Sequence, residues 1–230
     1  MSSVTENFST ERTGNKAPVV WFVSHCHDYN GRMKYVRRLQ RYIGVHIYGE
    51  CGNLKCGKTR NMRAEYSTER DPCFDLVNRK YKFYLSFENA LCKDYVTEKA
   101  FNALGLNTIP VVFGGADYAD IFPPKSYIDA LLFPDPASLA SHLYSLLQSP
   151  LEFSSYFTWR PHYEVVSYVS VPDNCQLCER LVAGDLAQYK VYPNMWDWLV
   201  RRSQCVFTRR SWSTEKFMRV WESQREKRLA

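Results

Sequence analysis

The segment FENALCKDYVTEK (87–99) sets Glu88 and Asn89 a few residues ahead of Tyr95, Glu98 and Lys99. A helix opening within DYVTEK would turn its unpaired amides and the positive end of its dipole toward an anion. A lysine at that end is poorly placed for the dipole. Either Lys99 is paired on the surface with Asp94 or Glu98, or it is held there to neutralise phosphate. A carboxylate beside that cation, Glu98, could accept hydrogen bonds from ribose hydroxyls, as acidic residues do in dinucleotide folds. Arg32 opens an earlier helical pattern. It would bring a second cation to the same ligand if both segments leave one sheet at the same edge; alone, it reads as an exposed first-turn arginine.

Other reactive groups are less organised. No GxGxxG or GxxxxGK[ST] run is present, and no Asp-x-Asp pair stands ready to chelate a metal between diphosphate oxygens. Diphosphate handling would lean on Arg and Lys. A divalent cation such as manganese could take part but is required by no motif, and no tightly bound cofactor or resident metal is expected. The histidines, at 25, 27, 46, 142 and 162, lack ligand spacing, although His25 and His27 flank Cys26 beyond a strand end where either could touch a ligand. Ser24 has no identifiable base. Eight cysteines, Cys26, Cys51, Cys56, Cys73, Cys92, Cys175, Cys178 and Cys205, would fit up to four disulfides in an oxidising compartment. Reduced core thiols, or a zinc site of Cys51, Cys56, Cys175 and Cys178, fit the same spacing. Val171-Pro172-Asp173 rather than a strand precedes Cys175-Gln-Leu-Cys178, which disfavours a thioredoxin-like role.

Hydropathy patterning supplies the scaffold. VVWFVS (19–24) predicts a fully buried strand, Met33, Val36, Leu39 and Ile43 recur at helical spacing, and HIYG (46–49) predicts the next strand of a parallel pair. Residues 50–80 are polar, hold three cysteines and read as a surface insertion. The alternation resumes with YKFYLSF (81–87) as strand, DYVTEKAFNAL (94–104) as helix and IPVVFG (109–114) as strand. Leu139, Ala140, Leu143, Leu146 and Leu147 mark an amphipathic helix after the turn residues Pro134, Asp135 and Pro136. The expected class is α/β, with helices on both faces of a parallel sheet and ligands beyond the carboxyl ends of its strands. Residues 1–16 form a polar leader, 17–160 the α/β domain, 161–212 a Cys- and aromatic-rich extension, and 213–230 a basic tail, either a charged helix or frayed.

Composition bounds the rest. A chain of 230 residues with 45% hydrophobic and 15% aromatic content can bury a core, which excludes disorder. Apolar runs such as APVVWFV (17–23) fall short of a membrane-spanning helix, and the polar start lacks the order of a signal peptide. Of the net charge of +6, residues 201–230 supply nine basic and three acidic side chains, leaving 21 of each sign before them. The body is neutral and nucleic acid is not the expected partner.

The run YKFYLSFENALCKDYVTEKAFNALGLNTIPVVFGG (81–115) resembles the donor-site signature of the α-1,3-fucosyltransferases, which joins F-E-N, D-Y-x-T-E-K, N-A-L and P-V-V-x-G. The likeness spans roughly residues 18–212 and includes WFVSHCHDYNGR (21–32) and SYFTWR (155–160). IYGECGNLKC (47–56), CQLC (175–178) and CVFTRRSW (205–212) are similar to the core-type enzymes that fucosylate the innermost N-acetylglucosamine of N-glycans. All eight cysteines have a place in that subgroup as disulfide candidates. The resemblance implies a two-domain glycosyltransferase of GT-B type, one Rossmann-like domain binding the acceptor and this one binding GDP-fucose. It implies inverting transfer of L-fucose in α-1,3 linkage, with Arg32 and Lys99 on the diphosphate, Glu98 on ribose or fucose hydroxyls, and Asn89 and Tyr95 completing the donor pocket. The partners it implies are GDP-fucose and a glycoprotein N-glycan.

Departures accompany it. His25 stands where the family usually has Asn, and the stretch from Lys99 to Pro110 is one residue shorter. The family's cytoplasmic tail, membrane anchor, stem and acceptor domain have no counterpart in this sequence, so the general base, a carboxylate of that domain, is assigned to no residue here. The expected location is the Golgi lumen, as a type II protein attached only through that anchor, with Asn7-Phe8-Ser9 the glycosylation candidate. The alternative is a nucleotide-sugar-binding module without turnover.

Overall fold

A computed structural model describes residues 17–27, 30–56, 72–165, 173–184, 193–206 and 214–229. Five parallel strands, β1 (Val19–Phe22), β2 (Val45–Tyr48), β3 (Phe83–Phe87), β4 (Ile109–Phe113) and β5 (Ile128–Asp129), form one sheet in the order β2-β1-β3-β4-β5. Val19 is registered with Val45 on one side and Phe83 on the other, and Phe83 with Ile109. The central strands are apolar on both faces because both are covered. Val19, Trp21, Phe83, Leu85, Phe87, Ile109, Val111 and Phe113 point to one side, Val20, Tyr84 and Val112 to the other.

The first face is closed by helices α1 (Arg32–Leu39) and α4 (Pro136–Gln148), which bury Tyr35, Val36 and Leu39 against Leu139, Ala140, Leu143 and Leu146. Each of these larger side chains contributes about 1.5–3 kcal/mol by leaving water. Asp135 caps α4 by accepting from the Ser138 amide at 2.8 Å, and Pro136 at the first position suits a helix start. The second face carries α2 (Pro72–Lys80) and α3 (Glu98–Leu104), with Val77, Ala103 and Leu104 buried.

Helix α2 corrects the reading of 50–80 as surface insertion throughout. Its described carboxyl-terminal part is the crossover to β3, and Cys73 and Val77 are buried in it. Helix α3 begins four residues later than the expected 94, after a turn in which Asp94 takes a positive φ of 61°. A short helix α5 (Pro150–Ser155) leads to the aromatic segment, where Arg160 lies over the Phe157 ring at 4.6 Å and donates to Leu106 O and, at 3.0 Å, to Asn107 Oδ1.

Three disulfides are formed: Cys26–Cys51, Cys56–Cys73 and Cys92–Cys205. Cys51 and Cys56 are thereby removed from any thiolate quartet with Cys175 and Cys178. The latter are exposed free thiols on α6 (Asp173–Val182). The tail is helical, α7 (Thr214–Leu229), and Arg225 Nε donates to Leu132 O at 3.2 Å. Among the described residues no helix is long and apolar enough to cross a membrane.

Candidate functional site

The strand order has one switch point. From β1 the chain crosses through α1 to β2, and from β3 it crosses through α3 to β4 on the opposite side. The switch point therefore falls at the carboxyl ends of β1 and β3, the place where ligands of such sheets bind. Both predicted cations belong to the chain segments that leave there.

The loop from β1 reaches α1 through Gly31, whose φ of 77° a side chain would strain. Asn30, fully buried, ties this loop to the one from β3: its Nδ2 donates to Glu88 O at 2.7 Å while its Oδ1 accepts from the Arg32 amide at 3.1 Å. Arg32 is only 3% exposed. Its Nη1 donates to Phe87 O at 2.7 Å, its Nη2 to His25 O at 3.2 Å, and its guanidinium lies 5.6 Å from the Trp21 ring centroid. A positive charge is thus fixed within the protein beside the strand ends, not displayed on a helix surface.

Glu88 follows β3 and has a side-chain exposure of 0%. A carboxylate so buried requires partners, and it has them. Its Oε1 accepts from the Thr97 amide at 2.8 Å and the Thr97 hydroxyl at 2.9 Å, and its Oε2 accepts from Lys99 Nζ at 3.1 Å. Lys99 Nζ also donates to Thr97 Oγ1 at 2.6 Å and to Glu98 Oε1 at 3.5 Å, and the Lys99 carbonyl accepts from Ser86 Oγ at 3.1 Å. The Lys99 side chain is 28% exposed and that of Glu98 54%. The surface pairing with Glu98 is present, but the stronger anchor is the buried Glu88.

Tyr95 does not lie on α3 as the helical pattern implied; it sits in the turn before it and donates from its hydroxyl to Asn89 Oδ1 at 2.9 Å. Its phenol is pushed above the ordinary range, first by burial, then by Glu88 and Glu98, with Arg32 opposing. The charges acting on the hydroxyl are thus Glu88, Glu98 and Arg32.

The turn is held from two sides. Cys92 is bonded to Cys205, Lys93 N donates to Ser203 O at 2.7 Å, and Val206 N donates to Leu91 O at 2.8 Å. Opposite, Gly115 approaches so closely that a Cβ there would collide with the Cys92 backbone.

The segments leaving β1 and β3 at the carboxyl edge of the sheet thus carry Arg32, Asn89, Tyr95, Glu98 and Lys99, and are tied to each other through Asn30, Arg32 and Glu88. Sequence reasoning noticed Glu88 but gave it no role, and it passed over Asn30 and Thr97. The available signal was a carboxylate placed directly after a largely apolar strand, where burial demands a cation. His25 contributes a carbonyl to Arg32, and its ring and that of His27 are exposed. Among the described residues no group of three His, Cys, Asp or Glu side chains could hold a metal. Asn7 lies outside the described residues.

An open, doubly wound parallel sheet that gathers fixed cations and hydrogen-bonding side chains at its switch point has the architecture of a nucleotide-binding α/β domain. The chain belongs to glycosyltransferase family 10: the family's fucosyltransferase carboxyl-terminal domain matches residues 12–198. It is 45% identical over 170 residues to alpha-(1,3)-fucosyltransferase C of Drosophila melanogaster, covering 74% of this chain and 37% of that one. Similarity to glycoprotein 3-alpha-L-fucosyltransferase A of the same species runs to 38% identity over 214 residues, 91% of this chain and 39% of the relative. The fold matches a crystal structure of an alpha1,3-fucosyltransferase with GDP-fucose at a TM-score of 0.53 and 19% identity, over 78% of this chain and 50% of that one. The chain spans about two fifths of the length of these curated relatives.

Proposed function

We propose that this chain is the donor-binding half of an inverting fucosyltransferase that transfers L-fucose from GDP-fucose in α-1,3 linkage to N-acetylglucosamine of glycoprotein N-glycans, at the core residue. The observation that carries the reading is Lys99, a partly exposed ammonium fixed at the switch point with the buried Arg32 charge at the same sheet edge. Lys99 contacts the diphosphate, and Arg32 acts through its charge from beneath. Glu98, exposed on the first turn of α3, takes ribose or fucose hydroxyls. Asn89 and Tyr95 complete the pocket.

The chemistry suits these groups. Breaking the bond between the fucose anomeric carbon and the diphosphate oxygen leaves negative charge on GDP, which fixed cations stabilise more in the transition state than in the ground state. Inversion needs one in-line attack by an acceptor hydroxyl as it loses its proton. The base for that proton comes from the acceptor-binding part. Three disulfides fit an oxidising lumen, that of the Golgi, with attachment through a type II anchor.

Calorimetric titration of the oxidised chain with GDP and GDP-fucose is the test. Binding of both, lost in Lys99→Met while circular dichroism is unchanged, is the expected result. A folded wild-type chain that binds neither overturns the reading. Transfer to an N-glycan by the native protein then separates turnover from binding alone.

A further inference from the structure

We infer that Glu88 is a positioning residue for Lys99: it is the buried counter-charge that holds the ammonium so that its remaining N–H, shared only with the exposed Glu98, can be taken by a diphosphate oxygen. The inference rests on the donor-site reading above and gives its central cation a cause.

An ammonium carries three N–H donors. In this site two of them go to groups that are themselves held by further hydrogen bonds. One reaches Glu88 Oε2 at 3.1 Å, on a carboxylate with no exposed surface, and another reaches Thr97 Oγ1 at 2.6 Å. The Thr97 hydroxyl can accept from Lys99 because its own proton is donated to the same carboxylate at 2.9 Å. The Thr97 amide gives that carboxylate a further bond at 2.8 Å, so the acceptor is locked to the first turn of α3. Asn30 Nδ2 holds the Glu88 backbone at 2.7 Å, and the Glu88 amide donates to Phe113 O at 2.9 Å. Loops or strands from β1, β3 and β4 thereby converge on one residue.

The third N–H goes to Glu98 Oε1 at 3.5 Å, the longest of the three contacts and the one made to an exposed side chain. Glu98 is the partner a ligand can displace. A free lysine would spread its charge over many rotamers; here two charge-assisted bonds hold the nitrogen, so ligand binding does not have to order it.

The arrangement makes a prediction opposite to that of simple charge counting. Glu88 is negative and adjacent to the proposed phosphate subsite, so on Coulomb's law alone its neutralisation should strengthen GDP binding. If it positions Lys99, neutralisation should weaken GDP binding and leave recognition of the nucleoside alone. Ligand-observed NMR titrations of the 230-residue chain with GDP and with guanosine read the two separately. In Glu88→Gln, which keeps an oxygen to accept from the Thr97 amide, GDP affinity is expected to fall about tenfold with guanosine affinity unchanged. In a Lys99→Met background the same substitution should change neither ratio further. Should Glu88→Gln fail to fold, Thr97→Val removes the second fixed acceptor of Lys99 while keeping the side-chain shape, and the same selective loss is expected. Equal loss for both ligands would reduce Glu88 to a structural role and overturn the inference, as would unchanged or tighter GDP binding. Wild-type chain that binds neither ligand overturns the donor-site reading itself.

Discussion

At the level of single residues, Arg32 and Lys99 look alike in the sequence and behave differently in the fold. Arg32 donates to the carbonyls of Phe87 and His25 and lies over Trp21, so its removal takes a donor from the buried Phe87 carbonyl and a packed group from the Trp21 ring. Arg32→Met is therefore expected to cost about 2–4 kcal/mol, read as a lower urea midpoint at unchanged m-value. Loss of GDP binding in that variant would report a loosened floor as much as a lost charge. Both cations were legible because each sits in the first turn of a helix, the end whose dipole disfavours a basic residue. Glu88 lacked a role because burial of a carboxylate is decided by three chain segments at once. His142 on α4 offers a second residue-level test. Its imidazole contacts the Tyr156 hydroxyl at 3.3 Å and lies 5.2 Å from the Phe133 ring, and burial pushes its pKa below the ordinary 6.5, with Glu152 opposing. The folded state then binds the proton less readily than the unfolded chain. Its contribution is full above pH 6.5 and is lost as pH falls through the depressed value. Urea midpoints should drop on acidification through that window, and His142→Gln should flatten the drop.

At the level of elements, what could be read depended on how much of each element's burial is local. Strands β1, β3 and β4 announce themselves because a covered parallel sheet needs unbroken apolar runs, and α4 does so through its spacing and its Pro-Asp-Pro entry. Strand β5, only Ile128–Asp129, is too short to show a period. Helix α2 was hidden because Asp75, Arg79 and Lys80 surround a narrow stripe of Cys73, Val77 and the following Tyr81. The turn before α3 could not be foreseen as a turn, since its shape is imposed from outside by the 193–206 segment. That segment is joined to it by Cys92–Cys205, which closes a sequence separation of 113 residues. In the chain-entropy picture a loop of that size is worth up to about 4–5 kcal/mol. Cys205→Ser should approach that loss in denaturant titrations. Hydrogen exchange should accelerate at residues 91–95 while the amides of β3 stay protected, and GDP affinity should fall because Tyr95 belongs to the released turn and its hydroxyl holds Asn89. Uniform acceleration across the sheet would instead make the disulfide a global staple.

At the level of the whole molecule, the disulfides are not spread evenly. Cys26–Cys51 joins the exits of β1 and β2, Cys56–Cys73 joins the chain after β2 to the start of α2, and Cys92–Cys205 joins the exit of β3 to the extension. All three touch segments that follow strands at the carboxyl edge, where the fixed cations lie, and the opposite edge has none among the described residues. The hydrophobic core on one face of the sheet, with 22 buried side chains among the described residues, needs no such help. Oxidation therefore secures loops around a site more than it secures the sheet. The pairing was beyond the sequence, since eight cysteines allow 105 complete connectivities and the structure uses an incomplete one. Cys175 and Cys178, three residues apart and exposed on α6, are the pair left as thiols. Alkylation of the oxidised chain under denaturing, non-reducing conditions should thus add two labels by intact mass, both mapping to α6, and reduction beforehand should raise the number to eight. No label would mean that Cys175 and Cys178 pair with each other, leaving the edge as described. Four or more would mean that at least one of the three edge disulfides does not form. If these bonds secure the site, GDP binding should be lost as the six edge sulfurs become reactive, while the far-ultraviolet circular dichroism of the sheet and its covering helices persists.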